Sequence, residues 1–143
     1  MRARLHLLFI PALFFNLISC EKEVSKNNSQ SSHHAGLNCM ECHNSGEHKF
    51  NTAGTVFDTS KVTPLANAII KLYSEPIEGG KLLETIEVDA YGNFYSPHRI
   101  NYSKTVYPTV ISPSGHKSNM VTGTTSGACN SCHGVTEQPI WIQ

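Results

Sequence analysis

Between Ala53 and Ile111 apolar residues recur at every second position in short runs, and turn residues interrupt the runs. Such alternation sets one side of a strand against a core and the other toward water. Gly54-Thr55-Val56-Phe57 is the first run, closed by a turn at Asp58-Thr59-Ser60-Lys61. Ala66 to Tyr73 is the second, with Ala68, Ile70 and Leu72 on one face and Lys71 on the other. Glu75 to Lys81 contains Pro76 and Gly79-Gly80 and reads as a loop. Leu82 to Val88 alternates with mixed character, as an edge strand does. Asp89-Ala90-Tyr91-Gly92-Asn93 is a tight turn into a fourth strand at Phe94-Tyr95. Tyr102 to Ile111 is the fifth, and Pro108 inside it predicts an edge or a bulge because proline cannot donate to a ladder. Beyond the turn at Pro113-Ser114-Gly115 a weak sixth strand falls around Lys117 to Thr122. No stretch holds a helical period beyond two turns. The expected fold is mainly β, a small antiparallel β-sandwich.

The N-terminal end has a different pattern. Arg2 and Arg4 precede an apolar run from Leu5 to Leu17, broken by Pro11. A spanning helix needs about 20 apolar residues, so residues 1–19 read as a signal peptide. Leu17-Ile18-Ser19-Cys20 resembles the bacterial lipobox, which makes Cys20 the expected lipidated N-terminus. Residues 20–36, rich in Ser, Asn, Lys and Gln, read as a flexible solvated tether. The remaining divisions are 37–52, carrying one cysteine motif, the sandwich at 53–115, and 116–143, carrying a second motif and the tail. Lys and Arg number 11, as do Asp and Glu. Loss of Arg2 and Arg4 leaves a slightly acidic chain without a basic patch, which argues against nucleic acid as a partner. No carboxylate pair, Ser/His/Asp arrangement or phosphate-binding glycine loop is present, so no catalysis by the polypeptide is expected.

The chemistry lies in Cys39-Met40-Glu41-Cys42-His43 and Cys129-Asn130-Ser131-Cys132-His133. Each reads C-x-x-C-H, the attachment pattern of c-type haem. Two thiols form thioethers with the porphyrin vinyl groups, and the adjacent histidine ligates the iron. Two covalently bound haems are expected, held by Cys39, Cys42, Cys129 and Cys132, with His43 and His133 as proximal ligands and short helical turns at both motifs. A zinc site, a redox dithiol or a disulfide are the competing readings of C-x-x-C. Zinc ribbons bring their two pairs within about 15–20 residues, whereas here the whole strand-forming stretch lies between Cys42 and Cys129. Five cysteines are then all used, four by haem and Cys20 by lipid. The candidate sixth ligands are Met120, His116, His98, His48, His33 and His34. Each proximal histidine should donate its other ring nitrogen to a backbone carbonyl.

The stretch from Ala53 to Ile111 resembles the carboxypeptidase regulatory-like domain, a transthyretin-like or immunoglobulin-like β-sandwich. The likeness is carried by Gly54-Thr55-Val56 in the first strand, Asn67-Ala68-Ile69-Ile70-Lys71-Leu72 in the second and Asp89-Ala90-Tyr91-Gly92-Asn93-Phe94 at a hairpin. It ends at Ile111, where the chain runs toward Met120 and the second motif in place of a last strand. Such a domain implies a structural role. With both flanking motifs, the whole chain resembles small dihaem c-type cytochromes built around such a module. The expected function is single-electron transfer outside the cytoplasm, with other redox proteins or multihaem cytochromes as partners. Cys20 would anchor the protein in a membrane. Glu21 and Glu23 favour the outer membrane, on its periplasmic or surface face, over the inner one. Two other functions compete: a haem enzyme subunit or gas sensor with one open iron, and a structural surface lipoprotein with haem as a staple. An even number of antiparallel strands between the motifs would return the chain to the end where it began and set them side by side. An odd number would separate them.

Overall fold

In the computed structural model residues 23–143 are described, so the expected signal peptide and Cys20 lie outside the described residues. The strands are β1 (Thr52–Phe57), β2 (Ile69–Glu75), β3 (Gly79–Glu87), β4 (Asn93–Ser96), β5 (Tyr107–Ile111), β6 (Lys117–Asn119) and β7 (Ile140–Trp141). They form a three-stranded sheet in the order β4-β1-β7 and a four-stranded sheet in the order β3-β2-β5-β6. Every pairing is antiparallel except the parallel β1–β7 contact. The fold is the expected mainly-β sandwich.

The alternation read in the sequence is what the core uses. Val56, Ala68, Ile70, Leu72, Ile86, Val88, Phe94 and Val110 are buried together, with strands of both sheets contributing. Each large apolar side chain contributes about 1.5–3 kcal/mol on burial, more than a typical net hydrogen bond, so this cluster sets which face of each strand turns inward. β1 is buried on both faces. Val56 joins the main core, while Ala53 packs outward with Phe50 and Tyr95 in a second, smaller cluster. Gly54 faces inward, where an added Cβ would lie 2.5 Å from the Phe94 ring and 2.9 Å from Cys129 Cβ.

Four local expectations change. Gly79 and Gly80 belong to β3, not to a loop. The turn before them is Pro76-Ile77-Glu78-Gly79, with Ile77 at φ 54° and Glu78 at φ 57° and a 3.1 Å bond from Gly79 N–H to the Pro76 carbonyl. This is a type I′ geometry, which ordinarily selects Asn-Gly. Pro108 sits in β5, an inner strand flanked by β2 and β6, and not at an edge. It is tolerated because it occupies the last rung on the β6 side: Met120 N–H donates to the Pro108 carbonyl at 2.9 Å, and the return bond that proline cannot make falls where the ladder stops. Tyr102 to Val106 lies outside β5, which begins at Tyr107. The expected free tether is pinned from its described start. Ser25 is buried at 1 % exposure, its N–H donates to the Tyr95 carbonyl at 3.0 Å, and its hydroxyl accepts from Tyr95 N–H at 2.9 Å.

Closure beyond Ile111 is achieved from within the segment that carries the second motif. β6 extends the larger sheet, and β7 completes the smaller one. Six strands therefore lie between the motifs, and the chain returns to its starting end. The first motif approaches β1 from outside the small sheet. The second is seated on the same strand between Ala128, which bridges Ala53, and Ile140, which pairs with Val56.

Candidate functional site

Each motif opens with a single 3-10 turn, Cys39–Glu41 and Cys129–Ser131. Within the turns the same main-chain hydrogen bonds recur. His43 N–H donates to the Cys39 carbonyl at 2.9 Å, and His133 N–H to the Cys129 carbonyl at 3.0 Å. Cys42 and Cys132 donate to the same two carbonyls, each at 3.3 Å. The first thiol of each motif points to the carbonyl two residues back, Cys39 to Leu37 at 3.7 Å and Cys129 to Gly127 at 3.6 Å. One turn coils both cysteines and the histidine into a short arc, as joint attachment to one flat ring requires.

The histidines repeat the likeness. His43 Nδ1 lies 2.9 Å from the His48 carbonyl, and His133 Nδ1 lies 2.8 Å from the Gln138 carbonyl. A carbonyl only accepts, so Nδ1 is the donor in both rings, and Nε2 is the nitrogen left to face a metal. Phe50 stacks on the His43 ring at 4.4 Å between centroids, and Tyr95 stacks on Phe50 at 4.8 Å.

Beside each motif is a cleft. The first, of about 150 Å³, is walled by Leu37, Cys39, Cys42, His43, Phe50 and Tyr95 on one side and by Ser31 to His34 on the other. The second, of about 490 Å³, reaches between the sheets: Ile70, Leu72, Phe94 and Val110 form its floor, and Cys129, Cys132, His133, Met120 and Trp141 its rim. Two thiols and an Nδ1-anchored imidazole on the wall of a cleft with apolar sides fit a thioether-bound haem. Among the described residues no three Cys, His, Asp or Glu side chains converge as a tetrahedral zinc site requires; a haem takes only one nitrogen from its motif. The leading thiol of each motif also differs from the attacking thiol of a redox dithiol, whose thiolate is stabilised. All four are free, burial pushes the Cys39 thiol up, and burial pushes that of Cys129 up to about 12.

The remaining expected ligands separate. His33 and His34 line the first cleft and Met120 the second. His48 serves the first motif through its carbonyl, while its ring turns toward Glu23 at 4.0 Å. His98 bonds Glu84 at 2.7 Å and lines neither cleft. His116 lies in the exposed turn before β6, where its N–H donates to the Ser112 hydroxyl at 3.1 Å, and it too lines neither cleft.

Asn130 is the residue that sequence reasoning passed over. It is 3 % exposed. Its Oδ1 accepts from Thr55 N–H at 3.1 Å, and its Nδ2 donates to the Leu37 carbonyl at 2.9 Å and to Thr55 Oγ1 at 3.0 Å. It thereby fills the rung that β1 lacks between Ala128 and Ile140, and it ties the second motif to the first. A lone Asn within C-x-x-C carries no sign of this. The His48 and Gln138 acceptors are main-chain atoms and leave no mark in residue type.

Compared with protein-family models, curated protein sequences and solved structures, the chain matches none.

Proposed function

We propose that the chain is a dihaem c-type cytochrome that passes single electrons between redox partners outside the cytoplasm, held to a membrane through lipid on Cys20. The observation that carries this reading is the duplicated arrangement: C-x-x-C-H on a 3-10 turn, with each histidine's Nδ1 held by the carbonyl five residues on and its Nε2 left free. A haem bound there supplies a one-electron couple. The protein's own residues fix the imidazoles, shield one side of each site with apolar walls, and hold the two motifs together through Asn130 and Leu37. Redox proteins, including multihaem cytochromes, are the fitting partners, and the outer membrane is the fitting location.

Expression in a host competent for cytochrome c maturation tests this. The expected product carries two haems per chain by pyridine haemochrome, with a matching mass increase and an acyl modification at Cys20. Protein with the bare peptide mass plus only the acyl group would end the haem reading. Carbon monoxide binding by the isolated ferrous protein would favour a sensor or enzyme subunit.

A further inference from the structure

Resting on the dihaem reading above, we infer that the two sites are ligated differently: His33 supplies the second axial nitrogen at the Cys39–His43 site, and Met120 supplies an axial sulfur at the Cys129–His133 site.

His33 and His43 both line the first cleft. Their ring centroids are 6.0 Å apart with planes inclined at 44°. An imidazole nitrogen binds a first-row metal at about 2 Å and the ring centre lies about 1 Å behind it, so two imidazoles on one ion hold their centroids about 6 Å apart. The segment bearing His33 is fixed in place. Asn93 Nδ2 donates to the His33 carbonyl at 3.3 Å and to the Ser32 hydroxyl at 2.9 Å, and Ser31 bonds the Tyr95 hydroxyl at 3.0 Å. His34 lines the same cleft, but it sits at φ 53° and packs edge-on against His33 at 4.8 Å. It flanks the ligand.

The second cleft receives no histidine except His133 among the described residues. Met120 is fixed at its rim by the 2.9 Å bond to the Pro108 carbonyl, the same rung that closes the β5–β6 ladder. Glu137 also lines this cleft, but it is exposed, and a carboxylate suits harder ions than haem iron. A thioether raises the potential of haem iron relative to a second imidazole. The first electron added to the oxidised protein therefore resides at the Met120 site, and the second at the His33 site. Each electron converts one ferric ion to ferrous, with no bond made or broken in the protein.

Dithionite titration of the full dihaem protein, after its haem count is established, tests the assignment. Two separate one-electron waves are expected, with the thioether–ferric charge-transfer band vanishing in the upper one and no carbon monoxide bound by wild type. Met120→Ala should lose that band and bind one carbon monoxide per chain. Met120→His should stay low-spin and draw the two waves together. His33→Ala should bind one carbon monoxide while keeping the thioether band, and His34→Ala should keep both haems low-spin and bind no carbon monoxide. Two haems with spectra unchanged in Met120→Ala and His33→Ala would overturn the ligand assignment alone. So would a lost ligand in His34→Ala instead of His33→Ala. Protein without haem would overturn the reading beneath it as well.

Discussion

At Cys39–His43 the 3-10 turn lies on the outer face of β1, against Phe50, Ala53 and Tyr95, with the pinned tether as its far wall. At Cys129–His133 the same turn lies at the mouth of the sandwich, with Cys129 against the main core and the cleft floored by both sheets. The corresponding second residues make the contrast explicit. Met40 packs by apolar contact in the small cluster, whereas Asn130 is buried and hydrogen-bonded into a gap in strand pairing. The lesson is that C-x-x-C-H specifies a local turn and leaves open how that turn is moored. Mooring by the core links the second site to global stability; mooring on the outer face leaves the first more independent of it.

The strongest break of this comparison is removal of the thiols. On the dihaem reading proposed above, Cys39→Ala with Cys42→Ala, and separately Cys129→Ala with Cys132→Ala, should each reduce haem content from two per chain to one, read by haemochrome and mass. Equal loss of both haems from either pair would mean that the sites are not separable. Next is Gly127→Ala. The added Cβ would lie 1.9 Å from the Asn51 carbonyl, main chain against main chain, so the strand must shift. A loss of about 2–3 kcal/mol is expected in denaturant melts, with the second haem reduced more than the first. Unchanged stability would mean that the seat on β1 is looser than described.

Asn130→Ala should cost about 1–3 kcal/mol, because it strands the buried Thr55 N–H and also removes the part-buried bond to the Leu37 carbonyl. Met40→Ala, at the equivalent position, removes a half-buried side chain and should cost only about 1 kcal/mol. The reverse order would refute the difference in mooring. The smallest effects should lie far from both motifs. Ile77→Asn relieves a β-branched residue at positive φ and should stabilise by about 0.5–1 kcal/mol with haem content unchanged. On the same turn, the hydrogen bond from Lys117 holds the Glu78 carboxyl below its ordinary value. A depressed carboxylate stabilises above its unfolded pKa, and that small contribution fades as pH falls through the folded value. Lys117→Ala should abolish this acid-side dependence.

Periodicity made the first five strands legible, because Ile70, Leu72, Ile86 and Phe94 obey a two-residue repeat. It failed where tertiary pairing overrode local composition. β7 is two residues long and follows a motif loop, so no repeat announces it. Gly79 and Gly80 look like a loop, yet they sit in a strand whose turn residues are Ile77 and Glu78. Ser25 belongs to a polar tract and is buried because it matches free main-chain groups of Tyr95 and Glu87. The two C-x-x-C-H motifs stand in the sequence itself, and the short turn expected at each is present. Which of the other histidines, or Met120, faces a cleft depends on chain paths that spacing cannot encode.

The rung between Thr55 and Asn130 joins positions 75 apart. Closing so long a loop costs entropy before any contact repays it, so such pairings form late, after local ones such as the β2–β3 hairpin. During synthesis the first motif emerges well before the second. Until that late closure Cys129 and Cys132 lie together on open chain, and the step that completes the sandwich packs Cys129 against the main core while Cys132 stays exposed.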